Sequence, residues 1–205
     1  MKYLYRMTHI SNVPHILEFG ITHRNSPYAN PNYKAIGDTN LIERRQDYCV
    51  TTVRGKTYRI GDYIPFYFYA RMPMLYNIQH GYGVNKVNAD EIVYAIVDIN
   101  SITSRGNHDF FFSDGHAYNH IQTSFYGMED FEKIDSILDL DAIKSNDWGT
   151  DSCIKNRKQA EFFVRDDIGA EAILYWICYS EDAKAELITK GVDEKQILVK
   201  PIAYY

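Results

Sequence analysis

The sequence predicts an α+β fold: a mixed β-sheet with a few helices and long, aromatic loops. Three observations predict it. The strand-like runs at 91–99 (EIVYAIVDI), 160–165 (AEFFVR) and 172–179 (AILYWICY) do not alternate regularly with helical segments. Neither G-x-G-x-x-G nor G-x-x-x-x-G-K-[ST] occurs, which excludes the common doubly wound and P-loop signatures. The 205 residues, free of internal repeats, fit a single domain over 1–205 that can bury its own core.

The elements follow in order. Residues 3–7 read as a strand ending near Thr8-His9. Ser11 is placed to cap a helix over 12–19, with Pro14 in its first turn and Gly20 just past its end. From 21 to 60 periodicity is weak, and so long a stretch reads as a functional loop with a short helix near 38–47. The run YIPFYFY at 63–69 is β-rich, although Pro65 favours an edge or strand-end position. The run at 91–99 is apolar enough for a central strand. A helix is expected over 129–143, strands at 160–165 and 172–179, a helix near 181–190 closed by Gly191, and a last strand at 196–200.

Composition narrows the function. With 45% hydrophobic and 24% charged residues the chain is globular, and no run of 18 apolar residues is present to span a membrane. The start lacks an uninterrupted apolar core and a small-residue cleavage site, so no signal peptide is expected. Cys49, Cys153 and Cys178 are odd in number and far apart, which suggests a reduced, cytoplasmic protein. The net charge of −5 hides an asymmetry, because residues 1–81 carry +5 and residues 82–205 carry −10. Phosphate binding needs a local basic surface rather than a basic total, and Arg44, Arg45, Arg54, Lys56, Arg59 and Arg71 could supply one. A solvated charged face is the plainer reading of the same residues. The 18 Tyr, 10 Phe and 2 Trp fill cores in most proteins, but surface tyrosines also stack bases.

Four places could carry chemistry. Gln159 and Glu161 would share a face if the strand began before them, an amide and a carboxylate suited to hydroxyls and a developing positive charge. They could equally mark a sheet rim beside Lys158. His9, at the end of the opening strand, could donate to a ribose hydroxyl or be a satisfied, half-buried histidine. Arg44-Arg45 suits pyrophosphate through forked hydrogen bonds, yet such a pair on a short helix is usually solvated. Phe112-Ser113-Asp114-Gly115-His116 is a site or a tight turn. The seven histidines show no metal-ligand spacing, so no metal is expected, and there is no G-x-S-x-G elbow.

Together these segments resemble a known family. YRMTHISNVPHILEFGI (5–21), IERRQD (42–47), GDYIPFYFYARMPMLY (61–76), FSDGHA (112–117) and RKQAEFFV (157–164) stand in the order seen in DarT, the toxin of the DarT–DarG toxin–antitoxin pair. The resemblance spans essentially the whole chain. It implies an ADP-ribosyltransferase fold of two small packed mixed sheets, with flanking helices and a long substrate loop, that uses NAD+ as co-substrate. It further implies that Glu161 is the central catalytic residue, holding the nicotinamide ribose, stabilising the oxocarbenium-like state and taking the proton of the attacking base nitrogen. Arg45 would contact the NAD+ phosphates and organise the reacting groups. Thr8, His9 and Gln159 would face NAD+, while Arg71, Met72, Met74 and His116 would face single-stranded DNA. Thymidine is the implied target, with guanosine modified by related toxins. The implied partner is a DarG-like macrodomain antitoxin, and a monomer is expected. Two departures, KQAEFF for KQAEFL and RMPM for RSPM, leave Gln159 and Glu161 intact. The rival readings are transfer to protein or RNA, NAD+ hydrolysis, and a non-catalytic single-strand-binding module.

Overall fold

The run at 92–97 is buried at every position, as its unbroken apolar sequence requires, and it lies inside a large sheet. The computed structural model describes residues 1–103 and 108–205. In chain order the elements are β1 (Tyr3–His9), α1 (Val13–Phe19), α2 (Thr39–Arg44), β2 (Cys49–Thr51), β3 (Thr57–Arg59), β4 (Ile64–Tyr67), α3 (Pro73–His80), β5 (Ile92–Asp98) and α4 (Ile99–Thr103). They continue with β6 (Phe110–Ser113), β7 (Phe125–Gly127), α5 (Ile134–Ile137), α6 (Leu140–Lys144), α7 (Ser152–Arg157), β8 (Glu161–Val164), β9 (Ile173–Cys178), α8 (Glu181–Thr189) and β10 (Ile197–Val199). This is the α+β class expected. Among the described residues the strands form an eight-stranded sheet, ordered β10-β9-β5-β1-β4-β8-β6-β7, and a β2-β3 ribbon. Among the described strands only the β10–β9 pairing is parallel.

The eight strands fall into two halves of four. β1 and β5 pair along their length, from Tyr3↔Asp98 to His9↔Ile92, whereas β1 meets β4 at one registered pair, Tyr5↔Tyr67. The halves share one core, in which Leu4, Val93, Val97 and Trp176 join a cluster with Phe66, Phe110, Phe162 and Val164. Alternate residues point the other way. On that face of the first half, Tyr94, Ile96 and Ile177 pack with Leu75 and Ile78 of α3 and with Tyr204. In the second half, Phe111 and Phe163 are covered by Val50 and Tyr58 of the β2-β3 ribbon. Full burial of a Phe side chain contributes about 1.5–3 kcal/mol, so these rings are what holds the halves in place.

Several elements differ from expectation for local reasons. The helix expected over 129–143 is a 3-10 turn followed by α5 and α6, because the Asp139 side chain accepts from Ala142 N–H and starts a new helix there. His9, not Ser11, caps the turn before α1, its ring accepting from Ser11 N–H. The stretch at 21–60 holds α2 and the β2-β3 ribbon, strands too short to show a period. Pro65 sits in an interior strand, but β1 has diverged there, and its carbonyl takes a hydrogen bond from Arg6 at 2.9 Å in place of a neighbouring strand. Among the described residues no helix is long and apolar enough to cross a membrane.

Candidate active site

Glu161 opens β8 and is 1% exposed, so its carboxylate needs internal partners. It has two. Arg45 Nη2 donates to Oε2 at 2.7 Å, and Ala117 N–H donates to Oε1 at 3.2 Å. The backbone N–H of Glu161 in turn donates to Ser113 Oγ at 3.1 Å, and that hydroxyl donates to Gly115 O at 2.7 Å. The FSDGHA segment is thus wrapped around the carboxylate. Gly115 is required there, since a Cβ would lie 2.3 Å from Asn156 Nδ2. Asn156 holds the same loop, donating to Gln122 O and Thr123 Oγ1 and accepting His116 N–H on its carbonyl.

Arg45 reaches the site from the C-terminal end of α2, where a cation meets the negative pole of the helix. Its guanidinium lies 5.6 Å from the Phe163 ring centroid. Burial works against the Arg45 cation, but the charge of Glu161 and the bond to it outweigh burial and raise its pKa. Tyr67 stands opposite Glu161 in the β4–β8 register. Burial first, and then the Glu161 charge, keep that phenol protonated, and it donates to Met74 Sδ at 3.7 Å. His116 sits in the field of the same pair, and burial lowers its pKa, so the imidazole is neutral at physiological pH.

The NAD-facing candidates lie where β1 and β4 part. Thr8 Oγ1 accepts from Asn12 Nδ2 at 3.0 Å, and Asn12 fixes Lys34 N–H and C=O. Arg6, Thr8, Asn12 and Tyr33 line a cleft there. Arg6 follows Tyr5, which pairs with Tyr67, and Tyr67 in turn stands opposite Glu161, so the cleft and the carboxylate are neighbours across the strands. His9 is 4% exposed with both ring nitrogens engaged, Nδ1 by Ser11 and Nε2 by Glu91 at 3.3 Å. Burial, then the charge of Lys34, lower its pKa.

Not every candidate is brought to the carboxylate. Gln159 precedes the strand, in the turn after α7, and its amide donates to Lys155 O at 3.0 Å, so the shared strand face with Glu161 is not formed. Met72 is 1% exposed, and the expectation that it packs on a base is corrected: it turns inward ahead of Pro73 at the start of α3. Its neighbour Arg71 adopts φ 55°, a left-handed conformation rare for a side chain of this size. The turn aims the guanidinium at Asn146 Oδ1, 3.0 Å away, and over the Tyr205 ring. Residues that sequence reading did not single out are Arg6, Asn12, Tyr67 and Asn156. The first three lie inside segments already quoted for the resemblance, while Asn156 carries no signal of its own.

A burial-driven pairing of one carboxylate and one guanidinium, beside a cleft with a second arginine, can hold an anionic dinucleotide and stabilise positive charge. The DarT family, described as ssDNA thymidine ADP-ribosyltransferase, matches residues 5–205. A DNA ADP-ribosyl transferase of Escherichia coli O127:H6 is 30% identical over 90% of this chain and 83% of its own. The structure of Thermus sp. 2.9 DarT with ADP-ribosylated ssDNA superimposes with a TM-score of 0.83 at 25% identity, over 99% of this chain and 96% of that one. The same protein with NAD+ gives a TM-score of 0.77 at 24% identity, over 99% and 97%, a likeness of fold. A Thermosipho africanus transferase–DNA ADP-ribosyl glycohydrolase fusion protein is 26% identical over 97% of this chain and 47% of the fusion.

Proposed function

This chain belongs to the DarT family of ssDNA thymidine ADP-ribosyltransferases, and on that premise we propose that Glu161 and Arg45 together transfer ADP-ribose from NAD+ to a thymine nitrogen. The bond from ribose C1′ to nicotinamide breaks and a bond from C1′ to the base nitrogen forms. The base proton passes to the Glu161 carboxylate, and nicotinamide leaves neutral. A fixed carboxylate placed where positive charge develops lowers the barrier without reorganising at the moment of reaction. Arg45 holds the carboxylate in place before substrate binds and turns part of its hydrogen-bonding fork to the NAD+ phosphates. Arg6 adds a second cation, with Thr8 and His9 bordering the NAD+ side. Met74, His116 and Arg71 border the DNA side, where neutral His116 can accept or donate a hydrogen bond to an unstacked base.

The observation that carries this reading is the buried Arg45–Glu161 contact closed by Ala117 N–H. A non-catalytic binder has no use for a carboxylate held at a DNA-facing cleft. The Thermosipho fusion favours a DarG-like macrodomain as the partner that reverses the modification. The test is incubation with NAD+ and single-stranded DNA, duplex DNA, RNA or protein, followed by mass spectrometry. One ADP-ribose added to single-stranded DNA, and at least about 10²-fold slower with Glu161→Gln, is expected. Label on RNA or protein alone would retain the NAD+ site and overturn the acceptor; undiminished transfer by Glu161→Gln would overturn the role of the carboxylate.

A further inference from the structure

Away from the carboxylate, one surface carries aromatic rings interleaved with cations. Tyr76 and His80 stand one turn apart on α3 with ring centroids 4.1 Å apart. His80 stacks on Tyr82 at 5.5 Å with an interplanar angle of 13°. Tyr76 meets Trp148 edge-on at 5.6 Å and Tyr205 at 5.1 Å, and Trp148 Nε1 donates to Tyr205 Oη at 2.8 Å. Tyr82 is 57% exposed and His80 is exposed, so the row reaches solvent. Two cations lie on these rings: Lys155 Nζ is 5.7 Å from the Trp148 centroid, and the Arg71 guanidinium carbon is 4.6 Å from that of Tyr205.

Arg54, Lys56, Arg59 and Arg157 are each paired with an aspartate, whereas Arg71 and Lys155 face neutral groups. Arg71 Nε is buried without a hydrogen-bond partner. Asp151, in the segment between Trp148 and Lys155, is engaged as the cap of α7 through Cys153 and Ile154 N–H. The row also begins at the active site, since Met74 near the start of α3 contacts Tyr67, which stands opposite Glu161. Rings without base-specific donors, alternating with unpaired cations, are the chemistry that holds a single strand without reading it.

We propose that this face is the track for the nucleotides flanking the modified thymidine, stacking their bases on Trp148 and Tyr82 and meeting their phosphates with Lys155 and Arg71. The proposal rests on the single-stranded-DNA reading above and adds to it a region remote from the carboxylate. The track makes transfer depend on strand length on one side of the target. It also gives that dependence a salt sensitivity, because each phosphate contact releases counterions.

The test uses single-stranded oligonucleotides with one target thymidine, extended stepwise on the 5′ or the 3′ side, with kcat and KM for transfer measured at each length. For the unaltered protein KM should fall with extension on one side only. Trp148→Ala and Lys155→Glu should each raise KM on the longest strand about tenfold, the effect of losing one stacked base or one phosphate contact. Both should leave kcat, and kcat/KM on the shortest acceptor, unchanged. Asp147→Lys, which adds a cation next to Trp148 in sequence, should lower KM on long strands, a gain that no folding defect imitates. Length-independent effects, or an unchanged KM on long strands, overturn the track. So does a loss confined to binding of a DarG-like macrodomain, which would assign the face to a protein partner. Failure of the unaltered protein to modify any single strand would instead remove the functional reading itself.

Discussion

Arg45 and Glu161 contribute unequally to the pair they form. The Arg45 side chain is 13% exposed and comes from a helix whose other residues are mostly exposed, so without its partner it can turn to water. Glu161 is 1% exposed on a central strand and cannot. Breaking a buried pair from the side that strands a charge costs about 3–5 kcal/mol, because the remaining ion keeps its desolvation penalty and loses its compensation. Urea denaturation should therefore find Arg45→Ala markedly less stable than Glu161→Gln, although both lose activity. Equal losses would mean that Glu161 is better solvated than its burial implies. The same asymmetry explains why the residue pair is only half legible in sequence. Glu161 enters a β run and can be placed, whereas the reach of Arg45 across 116 positions depends on how the 21–60 stretch folds.

At the level of elements, strands buried on both faces are readable because nothing but a sheet interior accepts them, as with the run at 92–97. Short elements are not. The β2-β3 ribbon has three residues in each strand, and its place is set by Val50 and Tyr58 covering Phe111 and Phe163, contacts remote in sequence. The helix expected over 129–143 fails for a different reason: apolar periodicity continues through Asp139, while its side chain ends one helix and begins another. The Gln159–Glu161 geometry fails because the strand starts two residues later than the alternation suggests. The loop from β6 is the element on which the site depends most. A methyl group at Gly115 would collide with the Asn156 amide, and relief requires moving the backbone that carries Ala117 N–H. Gly115→Ala should cost about 1–3 kcal/mol in stability and a disproportionate loss of kcat, read by thermal melting alongside steady-state transfer. Normal kcat in a stably folded Gly115→Ala variant would show that the Ala117 contact is dispensable.

For the molecule as a whole, acid should act through two histidines, His9 buried and His116 half-buried. Burial holds both His9 and His116 below the ordinary histidine pKa. In the unfolded chain they titrate near about 6.5. Above that value both states are neutral and nothing is lost. As pH falls below it, the unfolded chain takes up protons that the folded chain refuses, so stability declines until the lowered native values are passed. The melting temperature should drop between about pH 6.5 and 5.5, before most carboxylates titrate, and the drop should shrink in His9→Asn and His116→Asn. A flat profile over that interval would contradict the burial of both rings.

The lone rung at Tyr5↔Tyr67 has a consequence for how long the protein lasts. Each half of the sheet has its own outer cover, and the backbone ties them together at Tyr5↔Tyr67, next in sequence to Arg6, which with Thr8 lines the cleft. Backbone pairing along the sheet is sparsest at this seam, although the core beneath it is shared by both halves. A dinucleotide bound across it, as proposed above, would act as a clasp: at a hundred times its dissociation constant a ligand adds about 2.7 kcal/mol to the closed form. Survival against proteolysis would then rise and fall with the supply of NAD+, and an enzyme that drains its own co-substrate would loosen the clasp that keeps it whole.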